Sequence, residues 1–122
     1  MKIGVAQTRP VTGDIPANIE YHKTFIALAA MNGVDAIIFP ELSLTGYEPS
    51  LAKELATDTT DSRFDPFQQL SDTKQITIGV GVPTKSASGI HISMVLFQPN
   101  KPRQLNTKKY LHADEEPFFV SG

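Results

Sequence analysis

Asp35-Ala36-Ile37-Ile38-Phe39-Pro40-Glu41-Leu42-Ser43-Leu44-Thr45-Gly46-Tyr47-Glu48-Pro49 is the stretch whose reading decides the fold. Its apolar run, Ala36 to Phe39, is too short for a helix and rich in residues that favour an extended chain, so it reads as a buried strand. Pro40 has no N–H to give a neighbouring strand and ends the run. Glu41 then sets a carboxylate at the carboxyl end of the strand, where open α/β sheets hold their ligands. Thr45 to Pro49 carries turn chemistry. Acidic residues that follow strands are commonly just solvated, so Glu41 gains meaning only from what the rest of the chain brings near it.

Upstream, Ile3, Val5 and Ala6 read as a first strand and Thr8 to Gly13 as a loop. Pro16 opens a helix, at a position where the missing N–H costs nothing, and Asp14 favours its start. Ile19, Ile26, Ala29 and Ala30 fall on one face of it, with Tyr21, Phe25 and Leu28 as an adjoining stripe. Asn32-Gly33 closes the helix. Strand, helix and strand with short links imply a parallel pair joined by a right-handed crossover.

Downstream, Leu51 to Ala56 reads as a short helix, and Phe64, Phe67 and Leu70 are spaced for another with Pro66 near its start. Gln75 to Val82 is a third strand; Gly79 and Gly81 in it suggest a close backbone approach or a bulge. Thr84 to Gly89 reads as a hairpin loop, Ile90 to Phe97 as a fourth strand and Arg103 to Thr107 as a fifth. The order βαβ, helices, β-meander predicts an α/β fold, or α+β with one mixed sheet. In the fourth strand Ile90, Ile92, Met94 and Leu96 point one way and Ser93, Val95 and Phe97 the other. A sheet that is apolar on both faces needs cover on both, which three helices do not supply.

The 122 residues fit one domain spanning 1–122, with 40% apolar and 20% charged residues as in ordinary globular proteins. A formal net charge of −2 does not suggest a nucleic-acid surface. There is no cysteine, so disulfides, thiolate metal sites and a cysteine nucleophile within these residues are excluded. The apolar part of the N-terminus is too short for a signal peptide and no run approaches membrane-spanning length, so a cytoplasmic location is expected. The three histidines, His22, His91 and His112, share no ligand spacing, so a bound metal is not expected. No Gly-x-Ser-x-Gly elbow supports a serine hydrolase.

Three charged positions stand out: Glu41, Lys108 after the fifth strand, and Glu115 or Glu116 in the acidic turn beyond. Strand ends can converge on one pocket. There a carboxylate serves as general base and a lysine faces a developing oxyanion. The plain alternative is a surface ion pair of little worth.

Phe39-Pro40-Glu41-Leu42-Ser43-Leu44-Thr45-Gly46-Tyr47 closely resembles the glutamate segment of the nitrilase, or carbon–nitrogen hydrolase, superfamily. Lys2 to Gln7 is similar to its first strand, as are Asn18 and the helix ending in Asn32-Gly33-Val34-Asp35. Lys108-Lys109-Tyr110-Leu111-His112-Ala113-Asp114-Glu115-Glu116 resembles its lysine segment. The resemblance implies a Glu-Lys-Cys set in which Glu41 is the general base and Lys108 steadies the oxyanion; Leu111 fixes the spacing against Lys109. Glu115 would be the second, substrate-side glutamate, with Glu116 close behind. The cysteine would attack a small amide or nitrile and form a thioester, and it lies outside this chain. Ile92 and Asn106 depart from residues frequent in the family, Asn and Tyr respectively.

The resemblance further implies half of a four-layer α-β-β-α sandwich, read as the N-terminal part of an amidase-type enzyme that needs no metal or organic cofactor. The expected partners are a small amide substrate and a second copy or a C-terminal half, with no nucleic acid and no membrane. These residues alone should be inactive. The rival readings are a non-catalytic truncated module that folds by dimerising or docking on a separate C-terminal half, and a small α/β binding domain whose Glu41 and Lys108 are surface charges.

Overall fold

The strand at Ala36–Ile38 (β2) lies between two parallel neighbours in a computed structural model that describes residues 1–122. Ile3–Val5 (β1) flanks it on one side and Thr77–Ser86 (β3) on the other; Gly89–Phe97 (β4) and Gln104–Thr107 (β5) continue antiparallel in the order β1-β2-β3-β4-β5. Ile15–Met31 (α1) joins β1 to β2. Ala52–Leu55 (α2) and Asp65–Lys74 (α3), each preceded by a single 3₁₀ turn, join β2 to β3. Two right-handed crossovers between strands in sequential order put both connections on one face of the sheet. The mixed α/β sheet is the expected fold class.

Helix α1 starts where Asp14 Oδ1 accepts the Ala17 N–H at 3.1 Å and ends before Gly33, whose φ of +71° suits a residue without Cβ. Its buried face is Ile15, Asn18, Ile19, His22 and Ile26. Phe25 packs at its margin, but Tyr21 and Leu28 of the expected stripe are more than half exposed. At 3.6 residues per turn they lie about a third of a turn from the buried line. The expected face of Ile19 and Ile26 is the buried one, and polar Asn18 and His22, rather than the Tyr21 and Leu28 stripe, complete it.

The main core lies between the helices and the sheet: Ile26, Phe64 and Phe67 from the helical side meet Ile37, Phe39, Ile78, Val80, Val95 and Phe97. On the opposite face, Val5, Ile38, Gly79 and Leu96 form one row across four strands. Val5 is 78% and Ile3 61% exposed, so this end of the face is bare apolar surface. At the other end the chain covers itself: Leu42, Ala52, Ile92 and Phe119 make a second small cluster, with Ile90 and Leu111 against it. The functional site lies at this end of the sheet.

Two local expectations change. Gln75 adopts φ +53° and caps α3, so β3 begins at Thr77. The β3–β4 ladder runs out to Ser86↔Gly89, so only Ala87 and Ser88 link the strands, where the sequence suggested a loop from Thr84 to Gly89. The buried hydroxyls of Thr84 and Ser93, 2.7 Å apart, allow the polar strand ends to continue the sheet.

The glycines of β3 reflect close approach. A Cβ on Gly81 would lie 2.4 Å from both the Leu42 nitrogen and the Pro40 carbonyl oxygen, whereas one on Gly79 meets the side-chain ends of Met94 and Ile38 at 3.0 and 3.1 Å. Backbone cannot yield as side-chain ends can. Gly81→Ala should therefore cost about 1–3 kcal/mol in urea unfolding, and clearly more than Gly79→Ala. Equal costs would show that the turn at Pro40 moves freely.

Candidate active site

The chain leaves β2 without leaving the sheet. Phe39 N–H donates to the Gly79 carbonyl and, after an interruption, Leu44 N–H donates to that of Gly81, both at 2.9 Å. Between them Pro40 to Ser43 forms a tight turn, closed by the Ser43 N–H on the Pro40 carbonyl at 3.1 Å. Leu42 takes a left-handed φ of +55° and buries its side chain beneath the turn. That backbone is uncommon for a residue with a Cβ and is held here by packing and hydrogen bonds on both sides. Glu41 is thereby lifted above the middle of β3, at Gly81.

Lys108 arrives from the opposite side. Its N–H donates to the Ile92 carbonyl at 2.8 Å, one residue beyond β5, which fixes the direction of its side chain. The ammonium lies between two carboxylates, 3.1 Å from Glu41 Oε1 and 3.1 Å from Glu115 Oε1. Of the candidates left open by the sequence, Lys108 and Glu115 join Glu41, while Lys109 and Glu116 are exposed. Next to the three charges is a cavity of about 410 Å³ whose lining includes Glu41, Gly81, Ile92, Met94, Asn106 and Lys108. Ile92 and Asn106, the two departures noted in the sequence, are thus both cavity residues.

Glu115 is buried at 1% exposure yet ionised. Desolvation pushes its pKa up, but hydrogen bonds from the Tyr47 hydroxyl and the His112 N–H, with the Lys108 ammonium, outweigh it and hold the carboxyl at about 2. For Lys108 desolvation favours the neutral amine, but the hydrogen bonds and charges of Glu41 and Glu115 prevail and raise its pKa. The Tyr47 hydroxyl, donating to Glu115, is pushed up as well. The site therefore favours a charged ammonium beside a buried carboxylate that is ionised at neutral pH. Glu41 is the more exposed of the two acids, with 41% of its side chain open.

Tyr47 belongs to the turn and to the glutamate segment, but its place beside Glu115, 68 residues away, depends on the tertiary fold. His22, set aside for lack of a ligand spacing, lies under the Glu41 turn. Burial lowers its pKa to about 4, so the ring is neutral at ordinary pH, although its bond to the Asn18 carbonyl acts the other way. No group of three or more His, Cys, Asp or Glu side chains is arranged to hold a metal ion. A second depression, of about 450 Å³, is lined by polar groups including Asp72 and Arg103. Both are already committed to internal hydrogen bonds.

Residues 2–118 match the carbon-nitrogen hydrolase family. The chain belongs to that family. It is 30% identical over 129 residues to a glutamine-dependent NAD(+) synthetase of Acinetobacter baylyi, a match covering 99% of this chain and 23% of that protein. Among solved structures, an amidase from Nesterenkonia sp. AN1 superposes with a TM-score of 0.85 at 20% identity, over 100% of this chain and 48% of its own. XC1258 of Xanthomonas campestris, a CN-hydrolase superfamily protein, gives 0.86 at 18%, over 98% and 45%. At these identities the two structures bear on fold alone. This family member spans about half the length of either and less than a quarter of the synthetase. No helix is long and apolar enough to cross a membrane.

The low pKa of Glu115 carries a pH signature. Its folded value, about 2, lies below the ordinary 4.5, so the unfolded chain binds the extra proton between these values. The stabilisation is complete above about pH 4.5 and is lost as pH falls toward 2. Urea midpoints measured across this window should fall steeply for the wild type. Glu115→Gln should be less stable at pH 7 and show a shallower acid limb; an identical limb in the two proteins would contradict the assignment.

Proposed function

We propose that this chain supplies the base and the oxyanion-stabilising cation of an amidase-type carbon-nitrogen hydrolase, acting on a small amide through a cysteine thioester. One observation carries the reading: the Lys108 ammonium, held between Glu41 and Glu115 at the edge of a cavity of about 410 Å³. In it Glu41 takes the proton of a cysteine thiol lying outside these 122 residues, which contain none. The sulfur bonds to the amide carbon, and the carbonyl electron pair moves onto oxygen, where Lys108 donates a hydrogen bond. Collapse breaks the C–N bond, with Glu41 returning its proton to the departing nitrogen. Water, deprotonated by Glu41, then cleaves the thioester.

Glu115 has a different part. Ionised and tied down by three donors, it orients Lys108 from behind, while Lys108 itself lines the cavity. Two similar proteins support a primary amide. The Nesterenkonia amidase has been captured with the acetamide moiety of fluoroacetamide added covalently at its active-site cysteine. The synthetase relative is glutamine-dependent. Acetamide-like amides and glutamine are accordingly the first substrates to compare. The apolar row of Val5, Ile38 and Leu96, half-buried except for the exposed Val5, supports association of this layer with a second copy or a C-terminal half.

The test uses a protein that carries this chain together with a cysteine-bearing C-terminal segment, and follows ammonia release. Glu41→Gln and Lys108→Met should each reduce kcat/KM by about 10²-fold or more with circular dichroism unchanged. Residues 1–122 alone should release none. Wild-type rates in Glu41→Gln would remove the general-base assignment.

A further inference from the structure

Beneath the Glu41 turn runs a continuous line of buried polar groups that the hydrolytic reading does not use. His22 Nδ1 lies 2.7 Å from the Asn18 carbonyl, and Nε2 lies 2.8 Å from Ser43 Oγ. Ser43 Oγ is also 3.1 Å from the Gly81 nitrogen. A carbonyl only accepts, so Nδ1 carries the ring proton and Nε2 is left with a lone pair. The Ser43 hydroxyl must then donate to Nε2, which leaves its oxygen free to accept the Gly81 N–H. Every donor and acceptor along the line has one direction. The imidazole is 1% exposed, stacks on Phe39 with ring centroids 4.1 Å apart, and stays neutral, with a pKa of about 4.

The line meets the turn at the place where Glu41 is set. Gly81 is the residue on which Pro40 and Leu42 rest with no room for a Cβ, and its carbonyl accepts the Leu44 N–H at 2.9 Å. Ser43 is therefore the only side chain through which helix α1 both grips the turn and ties it to β3. One helical turn earlier, Asn18 Nδ2 donates to the Leu44 carbonyl at 2.9 Å and to that of Val11 at 2.8 Å. Asn18 thus secures the far end of the same turn from the same face of α1.

We infer that His22, acting through Ser43, is a positioning residue for Glu41: the His22–Ser43–Gly81 hydrogen-bond line sets where the Glu41 carboxylate stands relative to Lys108. The inference rests on the hydrolytic reading for its effect on rate, but its geometric content stands without it. Leu42, held at a φ of +55°, is the reason the turn needs such a tie. Without the Ser43 bond, an uncommon backbone has one fewer contact holding it, and the buried Gly81 N–H loses its acceptor.

The test has two arms. In the enzyme carrying this chain with its cysteine-bearing segment, His22→Leu and Ser43→Ala should each lower kcat about ten- to a hundredfold, as a misplacement near 1 Å does, with KM nearly unchanged. The double variant should fall no further than the worse single one, because both break the same line. His22→Gln, whose side-chain oxygen can accept from Ser43, should recover most of the rate. In the second arm, nitrogen NMR should find His22 protonated at Nδ1 only. The Glu41 carboxyl and Gly81 amide resonances should shift together in His22→Leu and Ser43→Ala, and stay near wild type in His22→Gln. Unchanged resonances, an Nε2-protonated ring, or additive losses in the double variant would overturn the inference. An absence of any amide turnover would instead fall on the hydrolytic reading, with the resonances still deciding this one.

Discussion

The structure depends on one backbone contact: the turn at Pro40 to Leu42 rests directly on Gly81 of β3. Only a glycine permits it, since any Cβ would stand 2.4 Å from main-chain atoms. The contact lets the chain step out of the sheet after Phe39 and rejoin it at Leu44 without losing its pairing partner. What protrudes in that step is Glu41. The buried side of the same turn is tied by Ser43 and His22, and the Ser43 hydroxyl oxygen accepts the Gly81 N–H beneath it.

Electrostatics then follow from where the elements end. Lys108 enters at the end of an antiparallel strand and Glu41 at the end of a parallel one, so two opposite charges come from opposite edges of β3 and β4. Glu115, on a turn closed by its own N–H to the His112 carbonyl, is the third. Two carboxylates around one ammonium leave a local excess of negative charge. Burying Glu115 in this company is tolerable because each oxygen has a donor: Tyr47 on one, the His112 N–H on the other, and Lys108 shared. The arrangement keeps Lys108 charged and leaves Glu41 as the more exposed acid, at the cavity wall.

The layer architecture explains the asymmetry of the sheet. Sequential parallel strands with right-handed crossovers send α1 and α3 to one side. The other side keeps Ile3, Val5, Ile38 and Leu96 without helical cover, while the chain's C-terminal segment covers only the Ile92 end through Phe119 and Leu111. The site sits at the border between the covered and bare parts of that face. This is consistent with a family member that spans about half the length of the amidase it superposes on.

Much of this was legible in the residues. The run Ala36 to Phe39 followed by Pro40 identified the strand end, because an apolar run and a residue without an N–H are local facts. The capping of α1 by Asp14 and Gly33 was local as well. Glu41, Lys108 and Glu115 could be singled out as charges at strand ends, but not brought together, since their distances depend on pairing across 67 residues of chain. Glu115 could not be separated from Glu116 by spacing; burial separated them. Tyr47, His22 and Ser43 were not legible, because each works through a partner distant in sequence and none belongs to a motif of charges. The sequence by itself determined the elements, their order and the three charges, since these follow from periodicity, proline, glycine and residue type. Only the tertiary structure decided which charges meet and which polar side chains hold them, because direction, burial and close backbone approach are properties of packed chain.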